Sequence, residues 1–347
     1  MINSILKEKT IKEKNRIKRI KIIILLLILF SLFILGSLLG KYSLSLSDVF
    51  KTLFGFGSEE SNKVIFQIRV PRLLLALLTG LLMGASGVIM QNLLHNDLAS
   101  PGTLGVSDGS TLFVTIYMTF MSTQSSNPFL MPILALIGGL ISSGIIYLLS
   151  FKKGKKISPT RLVLTGVAIS ALYQAIGQFM VFIMDENKLA ELQSWQAGEL
   201  WAANTSKPYL YILILFVWFL VFGGYALYKS RTLNAINLGY DVATGIGVAT
   251  KKEFLILSFI AVALSSAAVA FGGNFFFLGL IGPHIARRIV GHDAKYLIPT
   301  SGIVAGIMVM ASNILVTDFD IFLNIPTGIF VSIISVPYFI YLLLKRR

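Results

Sequence analysis

Cysteine is absent from all 347 residues of this chain, and histidine occurs only three times. Without cysteine there is no disulfide framework, thiolate nucleophile or iron–sulfur ligation, and cysteine usage says nothing about the redox compartment. None of His95, His284 and His292 has a second histidine four residues away, the spacing that pairs two metal ligands on one helix. We therefore expect polar roles for them at helix ends, and we assign no metal site and no cofactor.

Charged residues are also scarce. They make up 13% of the chain, whereas hydrophobic residues make up 55% and the mean hydropathy is +0.79. A soluble core cannot hold this much apolar surface, so lipid must solvate part of it. The composition therefore predicts a polytopic integral membrane protein that contacts membrane lipid.

The formal net charge of +14 is concentrated at the N-terminus and in short loops. Basic residues in short loops mark the cytoplasmic face of a membrane protein. No aromatic residues are interleaved with these charges as they would be in a nucleic-acid patch, so we exclude a nucleic-acid partner. We assign residues 1–21 to a basic cytoplasmic tail and residues 22–347 to one membrane-spanning domain.

Ten hydrophobic runs approach the roughly 20 residues that a helix needs to cross a bilayer. The fold class is therefore an all-α transmembrane bundle of about ten spans, with both termini on the same side. The eighth run is the weakest, because Gly272, Gly273, Gly282 and Pro283 interrupt it. The predicted spans are residues 22–40, 70–94, 104–122, 129–150, 160–184, 209–228, 254–271, 274–290, 297–316 and 326–344.

The basic loops fix the orientation of this bundle. If the N-terminus is inside, all of them fall in the cytoplasm. The first run is longer than the core of a signal peptide and lacks a clear cleavage site, so we expect it to remain as a span. The inner segments are Lys152–Lys156, Lys229–Arg231, Lys251–Lys252, Arg287–Lys295 and Lys345–Arg347, and the outer ones are Lys41–Gln67, Asp185–Lys207 and Thr317–Asn324.

Small residues recur along two of the spans. In lipid, such residues let helix backbones approach closely enough for dispersion contacts. We therefore expect the glycines of the second and fourth spans to pack against neighbouring helices; these are Gly80, Gly84, Gly87, Gly138, Gly139 and Gly144.

The chain has no visible energy source of its own. It lacks the G-x-x-x-x-G-K-[ST] phosphate loop, so it has no evident means of hydrolysing ATP. The predicted spans contain almost no ionisable residues, which disfavours an ion-coupled carrier without excluding one built from backbone carbonyls. A membrane enzyme is poorly supported because no convergent catalytic set can be named.

Four separated motifs cover nearly the whole chain from about residue 20. Arg69-Val70-Pro71-Arg72 opens the second span, which continues with the sequence G-A-S-G-V-I-M-Q-N-L-L. The other motifs lie at residues 161–172, residues 233–248 and residues 277–288, and Asn324-Ile325-Pro326-Thr327-Gly328 precedes the last span. In this order and at these depths they resemble the FecCD-type permeases of iron-siderophore, heme and cobalamin importers.

This resemblance implies a type II ABC importer in a bacterial cytoplasmic membrane. In that assembly two ten-span permeases surround a central path, two separate ATPase subunits lie beneath, and a substrate-binding protein lies outside. The resemblance does not distinguish a homodimer of this permease from a heterodimer with a paralogue. The missing phosphate loop fits this arrangement, because the ATPase is another polypeptide.

The segment at residues 233–248 resembles the family's pair of short cytoplasmic coupling helices, which dock on the ATPase. It is too polar to span the membrane, it lies in the longest inner loop, and its glycines suit turns. The alternative is an amphipathic interfacial helix without a partner. The residues assigned to coupling are Leu238, Gly239, Asp241, Ala243, Gly245 and Gly247.

Arg69 and Arg72 fall at the predicted outer mouth of the second span. In the family, arginines at these positions meet acidic residues of the binding protein, and a guanidinium group suits such carboxylates. Anchoring to lipid phosphate is the alternative. Two departures are Asn313–Asp318, where some members carry a further outer arginine, and Asp97, where the family commonly has proline. The first departure could mean that a non-identical partner permease supplies the missing contact.

Ser170, Gln174 and Gln178 lie four residues apart in the fifth span, so they share one helical stripe. A substrate path needs a weakly polar wall, and this stripe could supply it. Interhelical hydrogen bonding explains the stripe about as well.

The sequence thus predicts the permease subunit of an ABC importer that moves a ferric siderophore or related iron chelate inward and performs no covalent chemistry. Siderophore ranks first because it is the family's commonest cargo. Heme and cobalamin permeases of the same family are the first alternatives, and an ion-coupled secondary transporter is the alternative from another class.

Overall fold

A computed structural model describes residues 2–40, 44–121, 129–151, 159–318 and 325–345. Within these ranges all regular structure is helical, which agrees with the predicted all-α fold. The basic loop at residues 152–156, the outer segment after residue 318 up to Asn324, and the last two residues of the predicted inner segment 345–347 lie outside the described residues.

Sixteen α-helices follow one another in the described chain. Short 3₁₀ turns occur at Pro101–Leu104 and Trp201–Asn204, and π-helical turns occur at Lys63–Arg69 and Phe219–Gly223. The α-helices are α1 Ile2–Leu38, α2 Leu46–Leu53, α3 Glu59–Asn62, α4 Val70–Leu94, α5 Val106–Phe120, α6 Leu130–Ser150, α7 Pro159–Phe182, α8 Glu186–Gln196, α9 Pro208–Trp218, α10 Gly224–Tyr228, α11 Ser230–Asn237, α12 Tyr240–Gly245, α13 Thr250–Gly272, α14 Leu278–Val290, α15 Ala294–Asp318 and α16 Thr327–Lys345.

Each of the ten predicted spans corresponds to helical structure in the described chain. Seven helices there are long and apolar enough to cross a membrane: α1, α6, α7, α13, α15, the continuous stretch Glu59–Leu94 and the stretch Pro208–Tyr228. The other three predicted spans correspond to α5, α14 and α16. The predicted boundary at residue 21 falls inside α1, which continues without a break from the basic residues into the apolar ones.

The eighth predicted span begins later than expected. The chain at residues 274–277 is not helical, and α14 has only 13 residues. Gly273 follows the last residue of α13 and has a φ of +90°. Residues that carry a Cβ rarely adopt this backbone conformation. Pro283, which was expected to interrupt the span, lies inside α14, and the helix continues through it.

The core of the bundle is formed by α4, α13 and α15. In the most apolar stretches of α4 and α13, 83% of the residues are buried, whereas the corresponding share is 6% for α1 and 11% for α7. Helix α4 packs against α13, α14 and α15. The helices that bury the least surface, α1 and α7, are left to face lipid or a partner.

Five of the six glycines singled out in the sequence pack against neighbouring elements. A Cβ on Gly84 would lie 2.5 Å from the Ser301 carbonyl oxygen, and one on Gly138 would lie 2.5 Å from the Gly109 carbonyl oxygen. These contacts confirm the expected close helix approach. Gly144 is the exception, because no atom of another element among the described residues lies within 4 Å of the position of its Cβ.

Helix α5 begins inside the bundle and not at the cytoplasmic end of α4. After α4 ends, Pro101 comes back to lie beside Gly279, and a Cβ on Gly279 would be 2.7 Å from the Pro101 Cδ and 3.5 Å from the Met83 carbonyl oxygen. Met83 lies about three turns before the cytoplasmic end of α4. The chain therefore re-enters the bundle from the cytoplasmic side, and α5 starts at membrane depth.

The outer segment at residues 185–207 folds back onto the bundle. Trp195 of α8 and Leu200 are fully buried. Three glycines allow this close approach: a Cβ on Gly273 would lie 2.8 Å from the Gly198 Cα, and the amide of Gly328 donates a 3.0 Å hydrogen bond to the Gly198 carbonyl. This segment therefore covers part of the outer end of the bundle.

Candidate functional site

The outer mouth contains a cavity of about 370 Å³ whose wall includes both predicted docking arginines. Arg69 is only 9% exposed, and its Nη1 donates hydrogen bonds to the carbonyls of Ser37 at 2.7 Å and Leu38 at 3.1 Å. These carbonyls end α1, where a helix has no amides of its own to satisfy them. Arg69 therefore joins the outer ends of α1 and α4.

Arg72 lies on the same cavity wall, one turn further along the chain. Its Nε donates a 2.8 Å hydrogen bond to Oδ1 of Asn313 on α15. Glu199 also lines this cavity and accepts a hydrogen bond from the Ser194 hydroxyl. Asn313 begins the stretch where the family resemblance led us to look for a further arginine, and here its side chain orients Arg72 instead. The docking role of both arginines stays a prediction.

A second cavity, of about 380 Å³, lies between α5, α7 and α8. Gln174 and Gln178 of the predicted polar stripe both line it, and the Gln174 amide donates a 3.0 Å hydrogen bond to Oδ1 of Asp108. Ser170 lies elsewhere, with its hydroxyl 3.4 Å from the position of a Cβ on Gly105. The structure thus brings two of the three stripe residues together, and their role in the path stays a prediction.

The sequence analysis did not single out the other polar residues of this cavity. Asp108 belongs to the first turn of α5, Gln193 and Gln196 to α8, and Asn274 to the break before α14. Asp108 could have been identified from the sequence as a candidate functional residue, because it is an ionisable residue inside a predicted span. Nothing in the sequence was a reason to select the α8 residues, since polar residues are expected in an outer segment.

The predicted coupling segment forms two short helices, α11 and α12, joined at Gly239. Within the described part of the chain, no atom of a neighbouring element lies within 4 Å of the Cβ positions of Gly239, Gly245 and Gly247, so this surface is open there. Ala243, by contrast, is fully buried in the fold. Leu238 and Asp241 are exposed.

Two further apolar side chains on this surface went unnoticed in the sequence. Val242 is 51% exposed and Ile246 is 64% exposed, and with Leu238 at 69% they form an apolar set on the cytoplasmic side. The spacing of four residues between Val242 and Ile246 was the available signal. Exposed apolar side chains clustered beside polar ones are typical of a docking surface for another protein.

Side-chain contacts fasten α11 and α12 to the bundle. His95 at the end of α4 hydrogen-bonds through Nε2 to the Ile236 carbonyl at 2.8 Å, and the Tyr240 hydroxyl donates to the Leu93 carbonyl. Burial raises the pKa of Tyr240, so its hydroxyl stays protonated as a donor. Asn234 donates a 2.9 Å hydrogen bond to Asp293, next to the start of α15. A movement of this segment would therefore act on α4 and α15.

The second departure from the family pattern has a structural role. Asp97 accepts a 2.5 Å charge-assisted hydrogen bond from Nη1 of Arg287, whose Nη2 donates to Gln91 at 2.9 Å. The turn that contains Asp97 closes through the Leu98 amide, which donates to Oδ1 of Asn96 at 2.9 Å. The Asn96 side chain thus supports this turn, and the ion pair adds a link from the turn to α14.

The comparisons with known proteins agree with this architecture. Residues 23–345 match the FecCD transport family. The iron(3+)-hydroxamate import system permease protein FhuG of Bacillus subtilis is 33% identical over 346 residues, which cover 97% of this chain and 100% of that protein. The hemin transport system permease protein HmuU of Yersinia pestis is 33% identical over 333 residues, covering 93% of this chain and 95% of that protein.

A solved structure has the same fold. It is described as an inward-facing conformation of a metal-chelate type ABC transporter, and it superposes with a TM-score of 0.80 at 26% identity over 94% of this chain and 99% of that one. The family match covers almost all of the sequence, and the bundle is that of a multi-pass membrane permease. The chain therefore belongs to the FecCD transport family.

Proposed function

We propose that this chain is the membrane-spanning subunit of an ABC importer that carries a ferric siderophore or related iron chelate into the cytoplasm. The observation that carries this proposal is the similarity along the full length of an iron(3+)-hydroxamate permease. The polar cavity between α5, α7 and α8 supports it, because Gln174 and Gln178 offer hydrogen bonds without an array of charges that would hold the cargo.

Uptake in cells tests this function. Initial rates of uptake of labelled ferric siderophores, heme and cobalamin are compared in cells with and without the gene, and again with the partner ATPase inactivated. We expect uptake of an iron chelate that requires both proteins. If only heme or cobalamin were taken up in a gene-dependent way, that compound would be the cargo in place of a siderophore. Uptake that survives loss of the ATPase would indicate an ion-coupled carrier.

The energy for transport would come from separate ATPase subunits that dock on α11 and α12. The exposed side chains of Leu238, Val242 and Ile246 and the open glycines support this assignment. We expect Ile246→Glu to reduce co-purification of the ATPase, because a charge would be placed in an apolar contact. Phe56→Glu is the matched control, since Phe56 is 82% exposed but lies in the outer segment. Equal ATPase recovery from both variants would remove this surface from the docking site.

A substrate-binding protein would dock at the outer mouth, with Arg72 as its main contact. Asn313 orients the Arg72 guanidinium within a cavity, where it could meet a carboxylate of the binding protein. Arg69 contributes by holding α1 against α4. We expect Arg72→Glu to lower uptake at least about tenfold through charge repulsion, with normal membrane insertion. Full uptake by the Arg69→Glu, Arg72→Glu double variant would remove the docking assignment.

A second permease, identical to this chain or a paralogue, would complete the path. Helix α7 supports this, because only 11% of its most apolar stretch is buried although it carries Gln174 and Gln178. Co-expression of two differently tagged copies distinguishes the two assemblies. Recovery of both tags in one complex indicates a homodimer, and recovery of a single tag with a related permease indicates a heterodimer.

A further inference from the structure

Asp108 places a carboxylate inside the membrane-embedded part of the protein. It lies in the first turn of α5, which begins at membrane depth because the preceding chain re-enters the bundle. Ionisable side chains at this depth are costly and usually face a path or a partner. Here the side chain faces the cavity shared by α5, α7 and α8 and accepts the hydrogen bond of Gln174.

The rest of the cavity wall offers hydrogen bonds but no positive charge. Among the described residues that line it, none is lysine, arginine or histidine. Among the described lining residues, Asp108 is therefore the one charged group that an entering molecule would meet.

We propose that this cavity is part of the translocation path and that Asp108 selects cargo there by charge. It favours passage of cationic and neutral iron chelates over anionic ones. The inference rests on the proposed function and narrows its substrate class. Ferric iron bound by three hydroxamates is electrically neutral, whereas iron bound by three catecholates is strongly anionic. A carboxylate on the cavity wall repels the latter over several ångströms. The favoured class is therefore the hydroxamates, especially those with a pendant ammonium group.

A purely local role for Asp108 makes a different prediction. A carboxylate in the first turn of a helix is stabilised by the helix dipole, and such a residue contributes to folding alone. That role would change the amount of folded protein in a variant, and hence the uptake of every chelate by the same factor. It would not change the ratio between two chelates of different charge. The ratio of uptake rates therefore separates the two roles.

The test uses three ferric trihydroxamates with one iron-binding core and a pendant ammonium, acetamide or carboxylate group. Initial uptake rates are measured with the complete importer in cells, for the wild type and for Asp108→Asn. The asparagine keeps an oxygen for the Gln174 hydrogen bond but removes the charge. We expect the ammonium-to-carboxylate rate ratio to fall about tenfold or more, the scale on which one carboxylate acts on a nearby charge. The same binding protein serves both strains, so its own preference cancels in the comparison.

Three further variants keep the test decisive. Asp108→Glu should preserve the ratio even if total uptake falls, and Gln178→Glu, which adds a carboxylate to the same wall, should raise it. Asp48→Asn, in the exposed outer helix α2, should leave it unchanged. An unaltered ratio in both Asp108→Asn and Gln178→Glu would overturn the proposal and leave Asp108 with its helix role alone. If the wild type imported no chelate at all in a gene-dependent way, the proposed function itself would fail.

Discussion

Replacing Gly84 with alanine tests whether the close contact between α4 and α15 sets the stability of the bundle. A Cβ at this position would lie 2.5 Å from the Ser301 carbonyl oxygen and 2.7 Å from the Gly302 backbone nitrogen. Cβ atoms essentially never come closer than 3.0 Å to other heavy atoms, so something must move by roughly half an ångström. The obstructing atoms belong to the backbone, so no side-chain rotation relieves the clash and the helices must separate.

The cost follows from two contributions. Overpacking of a well-packed core typically costs about 1–3 kcal/mol. Separation also stretches the 2.9 Å hydrogen bond that the Ser301 hydroxyl donates to the Gly84 carbonyl, and such a bond contributes about 1 kcal/mol. We therefore expect the variant to lose about 2–4 kcal/mol, which lowers the thermal midpoint by about 3–6 °C in a chain of this size.

The assay is intrinsic tryptophan fluorescence of the purified permease in detergent during heating. Thiol-reactive dyes cannot be used because the chain contains no cysteine. Gly144→Ala is the matched control, since Gly144 also lies in a membrane helix but no atom of another described element comes within 4 Å of its Cβ position. We expect its midpoint to stay unchanged or to rise slightly, because alanine favours helix. If Gly84→Ala unfolds at the same temperature as this control, the reasoning from helix approach is wrong.

Three other substitutions examine contacts that the sequence alone did not show. Tyr240→Phe removes the hydrogen bond that fastens α12 to α4, and we expect the backbone amides of residues 240–245 to exchange with solvent about fivefold faster, the factor for about 1 kcal/mol. Asp97→Ala removes one carboxylate partner of Arg287 and should cost about 1–3 kcal/mol in thermal unfolding, whereas an unchanged midpoint would show that the pair adds nothing. Gly198→Ala places a side chain on a residue with a φ of +80° that packs against Gly328, and this should cost about 1–3 kcal/mol of stability. Gly245→Ala is the control and should cost far less, because no atom of another described element lies within 4 Å of its Cβ position.

The sequence predicted the membrane bundle well because hydrophobic run length and basic loops are strong local signals. Inside a bilayer each span must hydrogen-bond its own backbone amides and carbonyls. A run of about 20 apolar residues therefore almost always forms a helix. Helices such as α6 and α13 lie close to their predicted bounds for this reason. The same signal was weaker where the chain departs from simple crossing, as it does before α5 and α14.

The outer segments show what run length cannot reveal. Residues 185–207 were expected to be an outer loop because their composition is mixed, yet Trp195 of α8 and Leu200 after it are fully buried. Their burial depends on glycines far apart in sequence, Gly198, Gly273 and Gly328, which meet only in the fold. Nothing local to the segment predicts that meeting.

The candidate site illustrates the same limit in functional terms. The stripe of Gln174 and Gln178 could be found from spacing, because both residues lie on one helix. Asp108 could be found only as an isolated ionisable residue within a span, since its partners belong to α7, α8 and the break before α14. Asp108 was expected at the cytoplasmic end of the third predicted span. It lies inside the bundle because the chain around Pro101 re-enters it. A carboxylate that looked peripheral in the sequence therefore becomes, through the path of the backbone, the charge that the cargo would meet.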